Sequence, residues 1–499
     1  MNFEQAWNTF RTMHDKLHAI SHALGVVQYD AAAVAPRGSA EGRGKTMGII
    51  SEMSYSIQTA PEVNEAVAYL LENKDQLTPA QLREVSEFNK SNEFVSSIPM
   101  QEYVDYTVLI NEAEDVWHRA KQENDFASFL PYLQQIFDTN RRFALYYKPD
   151  NKPYDTMLDM YEKGLTMEQA DQFFSDLRSH IVPLLNKCMQ APQVRDDFLS
   201  RHADIATQRT FSDYLMEAIT IDRRYCGIGE TEHPFTTNFN KKDVRITTHY
   251  HEDALVSSMY SVIHEGGHAL YELHSGDEYE GTFLSGGVSM GIHESQSRFF
   301  ENIIGRSRQF TTLIFPKCQE LFPDVLGDVT AEEFYRAVNK VEPSLIRTEA
   351  DELTYAIHVM IRYEIEKAVI AGEMQVADIP QEWNRKYKEY LGVDVPDDTH
   401  GCLQDSHWSG GSIGYFPSYA LGSAYGAQML AKMKESIPVE DCVAEGNLTP
   451  ITDWLEEHVW RHGCMYDPGE LLERAVGAPF DPSYFVRYLE DKFGEIYGV

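Results

Sequence analysis

The segment His264–His268 has the sequence His-Glu-Gly-Gly-His, the clearest pattern of chemically active residues in the chain. On a helix, two histidines four residues apart lie one turn apart on the same face, where both could bind one metal ion. The glutamate between them could accept a proton from a metal-bound water molecule. The alternative is a pair of histidines that only packs in the core. We predict a zinc-type site on a helix from Asp253 to His274, in which Gly266 and Gly267 permit close approach of another backbone or of a substrate.

A catalytic metal site of this kind needs a third protein ligand, and Glu294 is the candidate. It follows a glycine-rich crossover and lies in the first turns of a second predicted helix, which could return its carboxylate to the histidine face. A surface glutamate without a ligand role is the alternative. Adjacent helix residues point about 100° apart, so His293 is predicted to lie behind the ligands. Glu272 and Glu301 could orient the imidazoles or could be solvated.

The composition limits the classes of function. The 499-residue chain has 78 acidic and 43 basic residues, for a net charge of −35, which disfavours binding to nucleic acid or to an anionic membrane. Its 6 cysteines are scattered and are expected to be reduced, so a metal must be held by histidine and carboxylate. The N-terminal residues lack the basic start and apolar run of a signal peptide, and we expect a cytoplasmic protein.

The spacing of apolar residues along the chain predicts where its helices and strands lie. Amphipathic helices are predicted from Asn2 to about Tyr225, with a capping box at Thr166–Gln169, and again after Ser307, including Leu353–Val369. Alternating β-branched residues between Thr236 and His251 predict a short strand or hairpin. We therefore predict a mainly α fold with a small antiparallel β-sheet beside the zinc helix. No linker divides the chain, so residues 1–499 are predicted to form a single domain with two helical lobes flanking a cleft.

Four further blocks accompany the histidine segment, namely Asp243–Thr247, His293–Gln296, Ile346–Leu353 and Gly401–Trp408. Together with it they resemble, in number and order, the signature blocks of the thermostable carboxypeptidase Taq family of zinc metallocarboxypeptidases. The resemblance covers nearly the whole chain.

Two segments depart from the family pattern. Val27–Asp30 has tyrosine where such proteins commonly have tryptophan, and Cys226–Gly229 lacks the usual Arg-Leu-Asp sequence. These departures concern local packing or substrate reach, and they leave the chemistry intact.

The resemblance implies a saddle-like helical homodimer with a deep active-site cleft, which removes single residues from the C-termini of peptides with broad specificity. It implies one zinc ion per subunit, held by His264, His268 and Glu294, with Glu265 as the general base. Cobalt or manganese could occupy the same kind of site.

The oxyanion that forms during peptide hydrolysis needs a donor besides the metal. His407 and Tyr415 are the candidates, because their eight-residue spacing is similar to that of the His and Tyr of the angiotensin-converting-enzyme-like peptidases. Tyr419 is a further candidate that we also predict to contact substrate. The alternative for all three is packing at helix ends.

A free C-terminal carboxylate is best bound by a planar guanidinium, for which Arg347 and Arg245 are the candidates. Arg347 is predicted to lie on a helix with Asp351 four residues further on. For Arg347 and Asp351, the alternative to substrate binding is therefore an intrahelical ion pair with each other. Gln404 and Asp405 could support the site from behind.

Two other functions fit parts of the same pattern. An endopeptidase or a dipeptidyl carboxypeptidase would share the zinc site and differ in how the cleft ends. A non-catalytic binding protein would keep the fold and use His264 and His268 only for packing, but it leaves the placement of Glu265 and Glu294 unexplained.

Overall fold

The computed structural model describes the backbone of residues 1–499 and the side chains of all of them except residues 37, 40 and 41. Helices dominate the chain on both sides of a short β segment. The helices before this segment are α1 (Phe3–Ala33), α2 (Ala40–Gln58), α3 (Pro61–Glu72), α4 (Pro79–Ser97), α5 (Met100–Glu123), α6 (Phe126–Tyr147), α7 (Pro153–Tyr161), α8 (Met167–Gln190) and α9 (Ile205–Ala218).

The helices after the β segment complete the fold. They are α10 (Leu255–Leu273), α11 (Met290–Arg298), α12 (Arg308–Leu321), α13 (Pro323–Leu326), α14 (Ala331–Val338), α15 (Glu352–Ala371), α16 (Ile379–Leu391), α17 (Pro417–Met433), α18 (Val439–Ala444), α19 (Thr449–His458), α20 (Pro468–Val476) and α21 (Ser483–Tyr497). The prediction of a mainly α fold is confirmed. Within the described part of the chain, no helix has the length and apolar character needed to cross a membrane.

A three-stranded sheet lies between α9 and α10. Its strands are β1 (Cys226–Glu230), β2 (Thr236–Asn240) and β3 (Asp243–Thr248), with β3 in the centre. β2 and β3 form the expected antiparallel hairpin, but β1 pairs with β3 in parallel. The sheet is therefore mixed and not purely antiparallel. β1 was not predicted, because its two glycines and its single β-branched residue, Ile228, do not form the alternating pattern of a strand.

Helix boundaries follow local capping chemistry. Thr166 and Thr330 each form a capping box at the start of α8 and α14, as their sequences predict. α15 begins later than Arg347, because the Asp351 side chain accepts backbone hydrogen bonds and caps its N-terminus. Arg347 lies in a separate 3₁₀ turn, Arg347–Glu349. The predicted shared helix of Arg347 and Asp351 is wrong for this reason.

Two groups of buried apolar side chains stabilise the fold. The larger one surrounds α10 and joins helices from α5 to α21 with the sheet. The smaller one is formed by α1, α3 and α4, and the ring of Phe283 packs against it from the crossover between α10 and α11. The two predicted lobes with a cleft between them stay a prediction.

Glycines let three helices approach without intervening side chains. A Cβ atom on Gly267 of α10 would lie 2.6 Å from the backbone oxygen of Gln296 and 2.7 Å from Cα of Ser297, both on α11. A Cβ atom on Gly422 of α17 would lie 2.7 Å from Cβ of Glu294 on α11. The expectation that Gly267 permits close approach of another backbone is confirmed. Gly266 instead faces the side chain of Ile219.

We predict that Gly267→Ala destabilises the protein by about 1–3 kcal/mol, because α10 and α11 must separate to admit the methyl group. Urea unfolding followed by circular dichroism measures the change. Gly48→Ala is the matched control, since Gly48 lies inside α2, where an added Cβ atom would meet no other atom within 4 Å, and alanine is the better helix former there. Equal stability of the two variants would contradict the role of close packing.

Candidate metal centre and catalytic groups

Three side chains predicted as ligands meet at one point. Nε2 of His264 and Nε2 of His268 lie 3.7 and 3.5 Å from the same oxygen of Glu294, and one donor atom from each residue lies within 4.8 Å of the others. Among the described side chains, no other cluster of three such residues is arranged to hold a metal ion. Two imidazole nitrogens and one carboxylate oxygen are the donor set of catalytic zinc sites that keep one position open. The residues therefore fit the metal that the sequence predicts.

Glu294 is fixed by an arginine on its own helix. Nε of Arg298 donates a 2.7 Å hydrogen bond to Oε1 of Glu294, and Oε2 is the oxygen that faces the histidines. Burial acts to raise the pKa of Glu294, but Arg298 and the two histidines hold it well below its usual range. The carboxylate is thus ionised, and Oε2, which also accepts a 3.1 Å hydrogen bond from the hydroxyl of Ser297, is turned towards the position of a cation.

His264 is oriented from behind by Glu301. Its Nδ1 lies 2.8 Å from Oε2 of Glu301, so Nδ1 carries the proton and Nε2 is left for a metal. Glu301 lies on a π-helical turn, Phe299–Gly305, that follows α11 directly. Arg298 and Arg306 also donate to this carboxylate, at 3.1 and 3.2 Å. Of its two predicted roles, orienting the imidazole is the one that this geometry supports.

His268 is oriented by a longer chain. Its Nδ1 lies 2.8 Å from Nδ1 of His293, whose Nε2 lies 2.6 Å from Oε1 of Glu272. Because Glu272 accepts from Nε2, the other nitrogen of His293 is free to accept a proton from His268. Glu272 also accepts from the amide of Asn238 on β2 and from the backbone of Gly287. His293 therefore lies behind the ligands, as the helix geometry predicts.

The sheet positions Glu265, the predicted base. Oγ1 of Thr236 on β2 lies 2.6 Å from Oε2 of Glu265 and 3.0 Å from its backbone oxygen. Glu265 is buried beside the two histidines of α10. The sequence analysis assigned no role to Thr236, because nothing in the sequence shows that β2 lies against α10.

His407, Tyr415 and Tyr419 form a second group in the same site. Nε2 of His407 lies 3.0 Å from the hydroxyl of Tyr419, and the His407 and Tyr415 rings are 5.5 Å apart. Burial lowers the pKa of His407 to about 4, so the ring is neutral at pH 7. Burial and then the charge of Glu294 raise the pKa of Tyr415, which remains a hydrogen-bond donor. Tyr355 connects this group to the metal ligands, because its ring centre lies 6.3 Å from that of Tyr419 and 4.1 Å from the guanidinium of Arg298, which binds Glu294.

Arg347 lies beside this group but is already paired. Its Nε and one terminal nitrogen lie 3.0 and 2.9 Å from Oδ1 of Asp405, and its other terminal nitrogen donates to the hydroxyl of Tyr355 at 2.9 Å. The guanidinium lies 5.0 Å from the ring centre of Tyr419. Gln404 accepts a hydrogen bond from the backbone of Arg347. The partner of Arg347 is therefore Asp405, and the proposed intrahelical pair with Asp351 does not form.

Arg362 is a member of this network that the sequence analysis missed. It is fully buried on α15, and its Nε lies 2.6 Å from Oδ2 of Asp405 while a terminal nitrogen donates to Gln404 at 2.8 Å. Asp405 is thus held between two arginines, which support it from behind the site. An arginine within the apolar helix Leu353–Val369 was the available signal for a buried ion pair.

Arg245 and Asp351 are not brought to the metal centre. Arg245 binds Asp243 through two 2.8 Å contacts, and its guanidinium lies 4.6 and 5.1 Å from the ring centres of Phe239 and Tyr29. Its side chain points to the opposite face of β3 from Ile246, which packs in the core. Asp351 accepts from the backbone of α15 and from that of Glu342, and burial raises its pKa to about 6. Neither geometry supports the predicted substrate contact.

We predict that Glu301→Gln weakens metal affinity on the order of 10-fold, because the neutral amide no longer polarises the His264 ring. Competition with a chromogenic chelator measures the affinity. The matched control is Glu332→Gln, an exposed residue away from the centre. Unchanged affinity in Glu301→Gln would mean that Glu301 serves only to neutralise Arg298 and Arg306.

Comparison with known proteins agrees with this geometry. The family profile described as carboxypeptidase Taq (M32) metallopeptidase matches residues 9–493. The chain is 40% identical over 488 residues to carboxypeptidase 1 of Bacillus subtilis (strain 168), with 97% of each chain covered. It is 36% identical over 484 residues to thermostable carboxypeptidase 1 of Thermus thermophilus, with 94% of each covered. The crystal structure of an M32 carboxypeptidase from Deinococcus radiodurans R1 superposes with a TM-score of 0.96 at 35% identity, covering 99% of this chain and 100% of that one. The chain therefore belongs to the carboxypeptidase Taq (M32) family of metallopeptidases and is a metal-dependent carboxypeptidase.

Proposed function

We propose that this carboxypeptidase hydrolyses the C-terminal peptide bond of peptides with broad specificity, at a zinc site held by His264, His268 and Glu294. The observation that carries the proposal is the convergence of these three donors beside the carboxylate of Glu265. His264, His268 and Glu294 would hold a zinc ion there, which would supply a Lewis acid able to lower the pKa of a bound water to about 7 and to polarise the scissile carbonyl. All other steps of the proposed mechanism are carried out by side chains of the protein.

Glu265 is the general base in this proposal. It accepts a proton from the attacking water and passes it to the leaving amine. The hydrogen bond from Thr236 fixes Oε2, which restricts the carboxylate to one orientation and leaves Oε1 for the water. Thr236 is therefore proposed to orient the carboxylate of Glu265 so that Oε1 faces the attacking water.

Tyr415 and His407 are the proposed donors to the developing oxyanion. Tyr415 keeps its proton at neutral pH because burial raises its pKa. His407 is neutral and can donate from one nitrogen only, and the hydroxyl of Tyr419 lies next to its Nε2. Donors that are fixed before the reaction stabilise the transition state without reorganisation.

Arg347 is the proposed anchor for the free C-terminal carboxylate of the substrate. A guanidinium has five N–H groups, and the contacts with Asp405 and Tyr355 leave two of them, one on each terminal nitrogen. Two N–H groups suffice for a bidentate contact with a carboxylate. Tyr419, whose ring stacks on the guanidinium, is proposed to contact the same end of the peptide.

Oligomeric state, metal substitutes, substrates and location remain proposals. We propose a homodimer with one zinc ion per subunit, and cobalt or manganese as substitutes, since a site of two histidines and one glutamate accepts all three metals. Peptides with a free C-terminus are the proposed substrates. The cytoplasmic location stays a prediction.

Glu265→Gln tests the proposed mechanism. We expect the variant to bind zinc as the wild type does and to lose about 10²–10⁴-fold in kcat, because the amide cannot accept the proton. Metal content by atomic emission and kcat on a tripeptide are measured together. Glu280→Gln, an exposed residue beyond the end of α10, is the control. Near-normal turnover in Glu265→Gln would remove it as the base.

C-terminal amidation tests the proposed anchor and the class of peptidase. We expect a peptide with a free C-terminus to be shortened one residue at a time, and its amide to be cleaved at least about 100-fold more slowly, since a charge-assisted bidentate contact is lost. Mass-spectrometric time courses follow both peptides. Equal cleavage of the two would instead support an endopeptidase, and release of dipeptides would support a dipeptidyl carboxypeptidase.

A further inference from the structure

The segment His407–Tyr415, called here the oxyanion loop, carries its two proposed donors at its ends. It contains no helix or strand to hold them in place. Three backbone hydrogen bonds are internal to it, including one from the nitrogen of Ser412 to the oxygen of His407 at 2.8 Å, but none of the three involves Gly414 or Tyr415. The separation of His407 and Tyr415 must therefore be set by contacts from outside the loop.

Glu366 on α15 makes such contacts at both ends of the oxyanion loop. Its Oε1 accepts a 2.7 Å hydrogen bond from the indole nitrogen of Trp408, the residue after His407. Its Oε2 accepts a 2.8 Å hydrogen bond from the backbone nitrogen of Gly414, the residue before Tyr415. The side chain is completely buried, so no solvent competes for these bonds.

We propose that Glu366 is a positioning residue for catalysis, which fixes the distance between His407 and Tyr415 by binding the residue next to each of them. The inference rests on the proposed function, in which His407 and Tyr415 donate to the oxyanion. It adds a requirement that is independent of the metal ligands. His407 and Tyr415 can donate to the same oxyanion only while the carboxylate of Glu366 binds both ends of the oxyanion loop.

The chemistry of the pocket around Glu366 calls for a carboxylate. Three donors converge on it, because the hydroxyl of Tyr154 also binds Oε2 at 2.8 Å. A glutamine could accept from one side only and would turn its own N–H groups towards a donor on the other. An apolar residue would leave all three donors unpaired. Burial raises the pKa of Glu366 to about 7, while these donors act to lower it.

The surroundings of Gly414 transmit this restraint to Tyr415. The backbone of Gly414 has a φ of +96°, and a Cβ atom there would lie 2.9 Å from the carbonyl carbon of Met157 on α7. The end of the loop is therefore confined between α7 and Glu366. Tyr161, at the end of α7, meets the Tyr415 ring edge-on at a centroid distance of 5.1 Å. A displaced Gly414 would move Tyr415 with it.

A double-mutant cycle tests the proposal, using Glu366→Gln, Tyr415→Phe and the combination of both in the full-length zinc enzyme. We expect Glu366→Gln to lower kcat about 10–100-fold, with KM within about 2-fold and zinc content unchanged, as expected for misplaced transition-state donors. In the Tyr415→Phe background, the same change should cost less than about 3-fold. Glu364→Gln, two residues earlier on α15 and paired with Lys386 near the surface, is the control and should keep full kcat.

Trp408→Phe provides a second variant, which keeps an aromatic ring in the core and removes the indole N–H that binds Glu366. It should show a smaller loss of kcat with the same dependence on Tyr415, and it replaces Glu366→Gln if that variant fails to fold. Equal losses of kcat in both backgrounds, or full activity of the Glu366 and Trp408 variants, would overturn the proposal while leaving the oxyanion role intact. Full activity of both Tyr415→Phe and His407→Gln would instead refute the oxyanion role and the proposal with it.

Discussion

A carboxylate on one helix reaches two imidazoles on another only where the two backbones nearly touch. Gly267 provides that contact between α10 and α11, and Gly422 provides a similar contact between α17 and Glu294 of α11. The part of α11 that carries Glu294 is therefore packed closely against both α10 and α17. This packing restricts the positions that the Glu294 side chain can adopt. Ligands fixed in this way need little reorganisation when a cation binds. The rest of the site is arranged around this three-helix contact.

The same confinement forces like charges together, and buried arginines compensate them. Arg298 lies between Glu294 and Glu301 and binds both carboxylates, which could not otherwise remain ionised side by side in the core. Asp405 lies in the reverse arrangement, between Arg347 and Arg362. In both groups the central residue has a counter-charge on either side, so removal of any one member would leave a buried charge without a partner.

The sequence predicts those parts of the site that helix geometry places. The spacing of His264 and His268 follows from periodicity, and Glu294 was predicted because the site needs a third ligand on a returning helix. The roles suggested for His293 and Glu301 agree with their contacts. Residues that reach the site from distant elements carry no such signal. Thr236 comes from a strand and Arg362 and Glu366 from a helix far along the chain, so only the fold shows their contacts.

Local chemistry also overrides periodicity at particular positions. Arg347 and Asp351 have helical spacing, but aspartate is a strong N-cap, and the helix therefore begins after it and not before. Strand β1 escapes detection because its glycines have no β preference, although the pairing with β3 stabilises it. A local cap decided the first outcome, and a strand pairing that forms only in the folded chain decided the second.

Phe283 connects the N-terminal helices to the metal centre, although these helices supply no ligand. The crossover between α10 and α11 contains several glycines, and ordering such a segment has a large entropic cost. The Phe283 ring packs edge-on against His14 and stacks on Phe88, so part of that cost is offset by apolar burial among α1, α3 and α4. The position of Glu294 on α11 therefore depends on the packing of the first hundred residues as well as on the helices that carry the ligands.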